Sequence, residues 1–197
     1  MENPVKLLLH SFQQAQASGD PNAKFCALAT LDEDGSPVSR TVTIREMSLD
    51  GVVIYINEQS PKIDQLRKNP NYELLFFWPS SIRQFRVRGC YEIYASDKQL
   101  QSWCAKPYAG KLYDLFQSCE QRQSSTLHSR QEYLEKAAQL KQKFPQGEEL
   151  QMPAEQLSIC FKPDYIESWF ASMKDGLHDR RLYRLTGKEW RCQVLVP

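Results

Sequence analysis

The chain has 197 residues, 41% of them apolar, and its 25 basic and 24 acidic side chains leave a net charge of +1. That is enough apolar material for one real core, and it excludes a global field drawing the protein to nucleic acid or to a membrane surface. No run approaches the roughly 18 apolar residues of a membrane helix, and the opening Met1-Glu2-Asn3-Pro4-Val5-Lys6 lacks the basic and apolar regions of a secretory signal, so a cytoplasmic protein is expected.

Residues 3–18 carry Val5, Leu8, Leu9, Phe12 and Ala15 at helical spacing, which predicts an amphipathic helix ended by Gly19-Asp20-Pro21. Phe25 to Leu31 reads as a strand, Asp32 to Pro37 as a turn, and Val38 to Arg45 as the returning strand of a hairpin. Gly51 to Asn57 is a strand apolar enough to be buried on both faces. Ser60-Pro61 opens a helix that runs to about Lys68, with serine as its cap and proline at its first position. Tyr72 to Trp78 and Ile82 to Ile93 are strands. Residues 96–143 turn to Gln, Lys, Glu, Leu and Ala and predict two or three helices, closed by Phe144 to Gly147. Strands return over Leu157–Lys162, Tyr165–Ala171, Arg181–Leu185 and Trp190–Val196. Short connections call for antiparallel pairing. The expected architecture is mainly β with helices: one domain over 1–197, an antiparallel split or closed β-barrel with peripheral helices and a helical insertion at about 96–143.

Six cysteines at 26, 90, 104, 119, 160 and 192 show no Cys-x-x-Cys and no zinc-like spacing, and only three histidines exist. No metal site is therefore expected, and Cys26, Cys160 and Cys192 read as small buried hydrophobes.

Several positions are suited to a flat, anionic, redox-active ligand. Within Trp169-Phe-Ala-Ser-Met-Lys-Asp-Gly-Leu-His-Asp-Arg180 stand an indole face, a histidine that titrates near neutrality and a planar guanidinium. His178 can act as general acid or base, or simply lie packed in a loop. Arg40 and Arg45 bracket a strand of Thr41, Val42, Thr43 and Ile44, and arginine forks and threonine hydroxyls suit phosphate. A solvated strand face explains them equally. Five residues apart they also have opposite parity, so a bulge or two separate duties is required. Lys62 lies in the first helical turn, where free amides favour an anion, or is an ordinary surface lysine. Gln84 can meet the edge of a heterocycle. Gln123-Ser124-Ser125 reads equally as a polar linker. Arg86 and Arg88 read as structural, paired with acids such as Glu92.

The order of Arg40-Thr-Val-Thr-Ile-Arg45, Tyr55-Ile-Asn57, Ser60-Pro-Lys62, Asn69-Pro70, Leu74-Leu-Phe76, Arg83-Gln84, Gln123-Ser-Ser125 and Trp169 through Leu177-His-Asp-Arg180 resembles the pyridoxamine 5′-phosphate oxidase family of FMN-binding split barrels, from about residue 22 onward. The resemblance implies an FMN-dependent oxidoreductase acting as a homodimer, with sites at the subunit interface. It implies that Arg40 and Lys62 hold the FMN phosphate, with Ser60 in support. Thr41, Val42, Thr43, Ile44 and Arg45 would line the flavin. Tyr55, Ile56 and Gln84 would meet the flavin or its ribityl chain. Gln123, Ser124, Trp169 and Arg180 would close the site. Catalytic roles would fall to His178 and Arg180, and substrate binding to Arg45, Lys106 and His178.

The chain departs from the family pattern on the substrate side. Gly176 stands where an arginine precedes Leu-His-Asp-Arg. Ser102 and Lys106 stand at a tyrosine and an arginine that grip the substrate phosphate, and Gly110 at a serine. Pro61 replaces an arginine, and Arg45 a lysine. Charge-assisted bonds are worth roughly 1.5–3 kcal/mol each, so losing two weakens phosphate binding about a hundredfold or more. The expectation is FMN binding with an open substrate. A true vitamin B6 phosphate oxidase, a non-catalytic flavin module and a haem-binding barrel are the rivals.

Overall fold

The computed structural model describes residues 3–146 and 150–197, so the expected stop at Gly147 lies outside the described residues. Two compact units are present, one comprising Met1–Ile54, Gln65–Glu92 and Ile159–Pro197, the other Tyr55–Asp64 and Ile93–Ser158.

The first unit is built on an antiparallel sheet. Helix α1 (Pro4–Ala17) starts at Asn3, whose side-chain oxygen accepts from the Val5 amide at 2.9 Å. It buries Val5, Leu8, Ser11, Phe12 and Ala15, one stripe at helical spacing; Leu9 is only half-buried, at the edge of the stripe. Strands β1 (Phe25–Leu31) and β2 (Pro37–Thr43) form the expected hairpin, with Leu31 opposite Pro37 and Phe25 opposite Thr43. The returning strand stops two residues short of expectation. Ile44 donates its amide to Lys24, but Arg45 donates to Val53, so the backbone changes partner and resumes as β3 (Glu46–Met47) beside β4 (Val52–Asn57). β4 is almost wholly buried, as its composition predicts.

Beyond helix α2 (Pro61–Lys68), β5 (Glu73–Trp78) pairs with β1 and with β6 (Arg83–Tyr94). Two strands were expected over 157–171, yet β7 is a single strand of 15 residues, Gln156–Phe170. Pro163 does not break it, because a proline is tolerated where the ladder needs no N–H. Gly89 of β6 makes the close approach: a Cβ there would lie 2.0 Å from the Lys162 carbonyl oxygen. From Tyr165 onward β7 pairs with β8 (Asp179–Thr186), which pairs in turn with β9 (Glu189–Leu195). The sheet runs β2-β1-β5-β6-β7-β4-β3, with β8 and β9 branching from β7. Its core holds Leu28, Leu74, Phe76, Trp78, Phe85, Phe161 and Ile166, all fully buried. Each such side chain contributes on the order of 1.5–3 kcal/mol.

The second unit contains α3 (Asp97–Cys104), α4 (Tyr108–Cys119) and α5 (Arg130–Lys143). They enclose a small core of Trp103, Leu112, Leu115, Phe116, Leu140 and Leu150. Trp103 Nε1 donates to the Leu150 carbonyl at 3.0 Å, and the Tyr108 hydroxyl to that of Phe144 at 2.7 Å. Among the cysteines, Cys26 and Cys160 are buried as expected. Cys192 is half-exposed because alternation on β9 faces solvent, and Cys90, Cys104 and Cys119 are exposed. Burial pushes the Cys26 thiol up to about 12.

Candidate functional site

Three expected residues meet where β7 and β8 pair. Trp169 stands directly opposite Arg180. His178 lies edge-on to the Trp169 ring, with centroids 5.0 Å apart. Its Nδ1 accepts the Ser172 amide at 3.1 Å, which leaves the ring proton on Nε2. The connecting loop bears Gly176 at φ +71°, and a Cβ there would meet nothing within 4 Å. Arg180 is bound to Glu167 through Nε and Nη2, at 3.1 and 3.0 Å, and reaches the Val196 carbonyl through Nη1. Beyond Glu167 a chain of charges continues through Arg86 to Glu73 and Arg88. The acid that pairs Arg86 and Arg88 is thus Glu73 and not Glu92, which pairs with Lys162. Strand register decides this, since Arg86 faces Leu75 two residues from Glu73. Burial works to raise the Glu73 pKa, but hydrogen bonds from Arg86 and Arg88 prevail and hold it below the ordinary value. The bond to Glu73 in turn raises that of Arg86.

Arg40 has a different setting. It lies opposite Leu28, in the same strand phase as Val42 and Ile44, so this guanidinium starts from the inward face of β2. It donates to the Leu28 carbonyl at 3.2 Å, to the Thr30 hydroxyl at 2.6 Å and to Gln65 Oε1 at 2.8 Å. All three acceptors are neutral. Burial lowers the Arg40 pKa from the ordinary arginine value. A half-buried cation among neutral dipoles retains its attraction for an anion. The break after Thr43 resolves the parity problem, since Arg40 and Arg45 belong to segments with different partner strands.

In the second unit Gln123 is drawn to the start of α2. Its Oε1 accepts from Ser60 Oγ and from Lys62 Nζ, each at 2.9 Å. The Ser60 hydroxyl, read above as a cap, also accepts from Lys62 at 2.6 Å. Arg122 fastens the same loop through the Gln59 carbonyl at 2.5 Å and an ion pair with Asp64. Ser124 follows at φ +65°, a left-handed conformation that costs a non-glycine residue about 1 kcal/mol or more.

The remaining expected residues are less concentrated. Val42, Ile44 and Ile56 are buried in apolar surroundings, leaving backbone as their route to a ligand. Thr41 and Arg45 are exposed, and Thr43, Tyr55 and Gln84 half-buried. Lys106 is ion-paired with Asp114 one helix on, and a Cβ at Gly110 would come within 2.9 Å of its Cε. Glu167, Thr30, Gln65 and Arg122 escaped the sequence reading. Only the Arg40 neighbourhood had a local signal, a charge in the apolar phase of a strand. The others depend on strand and helix placement.

Comparison with known proteins bears on what this arrangement does. The family model for pyridoxamine 5′-phosphate oxidase matches residues 12–192. The pyridoxine/pyridoxamine 5′-phosphate oxidase of Serratia proteamaculans (strain 568) is 32% identical over 99% of this chain and 87% of its own. That of Psychrobacter sp. (strain PRwf-1) is 32% identical over 100% of this chain and 90% of its own. Among solved structures, PhzG from Burkholderia lata 383, in complex with tetrahydrophenazine-1-carboxylic acid, superposes with a TM-score of 0.82 at 24% identity, covering 100% of this chain and 94% of that one. A pyridoxamine 5′-phosphate oxidase-related, FMN-binding protein from Nostoc punctiforme PCC 73102 gives 0.74 at 17% identity, with both chains fully covered. These likenesses show the fold, the antiparallel split β-barrel with peripheral helices.

Proposed function

The chain belongs to the pyridoxamine 5′-phosphate oxidase family, and on that premise we propose that it is an FMN-dependent oxidoreductase. The observation that carries the cofactor is Arg40, a half-buried guanidinium whose three acceptors are all uncharged. That setting fits a phosphate, which would supply the missing negative charge. Trp169 offers an aromatic wall, and Arg180 two further N–H groups. By family resemblance Lys62 is assigned to the FMN phosphate, Ser60 to its support, and Gln123 and Ser124 to closing the site, each to be tested residue by residue. FMN, when bound, supplies a ring system that accepts a hydride and passes electrons on. This chain would hold the His178 proton on Nε2, where it can be exchanged with a substrate.

A second reading, oxidation of pyridoxine or pyridoxamine 5′-phosphate, is favoured by the names of the relatives that match almost the whole chain. The ion pair of Lys106 with Asp114 and the bare Gly176 weigh against a strong phosphate grip. A homodimer completes the proposal. Met173 and Leu177 are exposed in the connection between Trp169 and Arg180, apolar side chains suited to burial against a second copy.

Titration with FMN, read by quenching of flavin fluorescence, tests the cofactor. Saturation at about one FMN per chain, weakened in Arg40→Ala, is expected; absence of quenching sinks the proposal. Aldehyde formation from either B6 phosphate decides between the two substrate readings.

A further inference from the structure

Glu167 has no role in the readings above, yet it governs the geometry of Arg180. It faces Leu182, and Trp169 faces Arg180, so these four side chains lie on one face of the β7–β8 ribbon. The Glu167 side chain is only 6% exposed. One carboxylate oxygen takes both Nε and Nη2 of Arg180. The other accepts the Tyr165 hydroxyl at 3.1 Å and Arg86 Nη1 at 3.5 Å. A carboxylate buried this far needs partners, and both of its oxygens have them. Arg86 is itself fixed by two bonds to Glu73, at 2.9 and 3.0 Å. The acid therefore keeps one cation whatever Arg180 does.

The effect on Arg180 follows from its donor count. Of five N–H groups, one on Nε and one on Nη2 face Glu167, and one on Nη1 faces Val196. One N–H on each Nη remains, both in a plane that Glu167 sets. We propose that Glu167 is a positioning residue. It holds the Arg180 guanidinium so that its two remaining N–H groups meet an electron-rich heterocycle lying beside Trp169. The identity of that heterocycle as FMN rests on the family reading above.

Two measurements test this. In the ligand-free protein, the ¹⁵N-detected Nε–H of Arg180 exchanges slowly with water if Glu167 holds it, and loses that protection in Glu167→Gln. Exchange as fast as that of a freely mobile arginine in the wild-type chain overturns the proposal without any variant. In FMN titrations, Glu167→Gln weakens binding about tenfold, and adds less than about twofold in an Arg180→Ala background, because the acid acts through the arginine. An equal tenfold loss in both backgrounds shows that Glu167 acts without Arg180 and overturns the positioning role. A protected Nε–H together with no FMN binding by the wild-type chain overturns the heterocycle assignment and the FMN proposal together. The pairing itself stands apart from that result, because it is read without ligand.

Discussion

Arg40 and Arg180 belong to the same unit and are both half-exposed, yet their surroundings differ. Arg180 meets a buried carboxylate that is tied through Arg86 to Glu73. Arg40 meets a carbonyl, a hydroxyl and an amide oxygen. The first cation is neutralised by the protein, and its value lies in being held still. The second is oriented by dipoles but left electrically unbalanced, and its value lies in what it attracts. Folding energy and ligand affinity are thus expected to separate between two chemically identical side chains.

The largest expected effect is on affinity. Arg40→Ala should raise the FMN dissociation constant about a hundredfold, roughly 2.7 kcal/mol, while changing the stability of the FMN-free protein by under about 1 kcal/mol. Quenching titration and urea unfolding measure the two, and a stability loss as large as the affinity loss breaks the contrast. Arg180→Ala should act on the FMN-free fold, lowering its unfolding free energy by about 1–3 kcal/mol. Glu167 then keeps only Arg86 and Tyr165, and the third of Arg180 that is exposed moderates the loss. Glu73→Gln sharpens the picture through pH. The Glu73 pKa is depressed in the folded state from the ordinary 4.5, so its stabilisation is present above pH 4.5 and is lost as pH falls through the folded value. Wild type and variant should differ by about 1 kcal/mol at pH 7 and converge in acid unfolding curves as pH falls from 4.5 through the depressed folded value. The smallest effect is at Gly176. Alanine finds free space but a left-handed backbone, which costs about 0.5–1 kcal/mol in thermal melts and leaves the Arg40 contribution to affinity unchanged.

Most of the fold is legible in the sequence because strand alternation and turn residues are local. The β1–β2 hairpin, the buried β4 and the three insertion helices follow from them. The merging of two expected strands into β7 is not local, since it depends on Gly89 of another strand admitting the backbone around Pro163. The candidate site divides the same way. Arg40 could have been recognised as inward-facing from its phase with Val42 and Ile44. Glu167 could not be joined to Arg180 without the register of β7 on β8. Lys106 matched by position only, because Asp114 claims it one helix later.

The distribution of thiols has a practical consequence for observing the molecule. Cys26, buried and pushed up to about 12, will not react with maleimides at neutral pH. Cys90 is exposed in the sheet unit, and Cys104 and Cys119 are exposed in the helical unit. With Cys104 and the half-exposed Cys192 replaced by serine, a donor and an acceptor dye can be attached to native positions, one in each unit. Energy transfer between them would follow the two units during FMN titration without engineering a new cysteine.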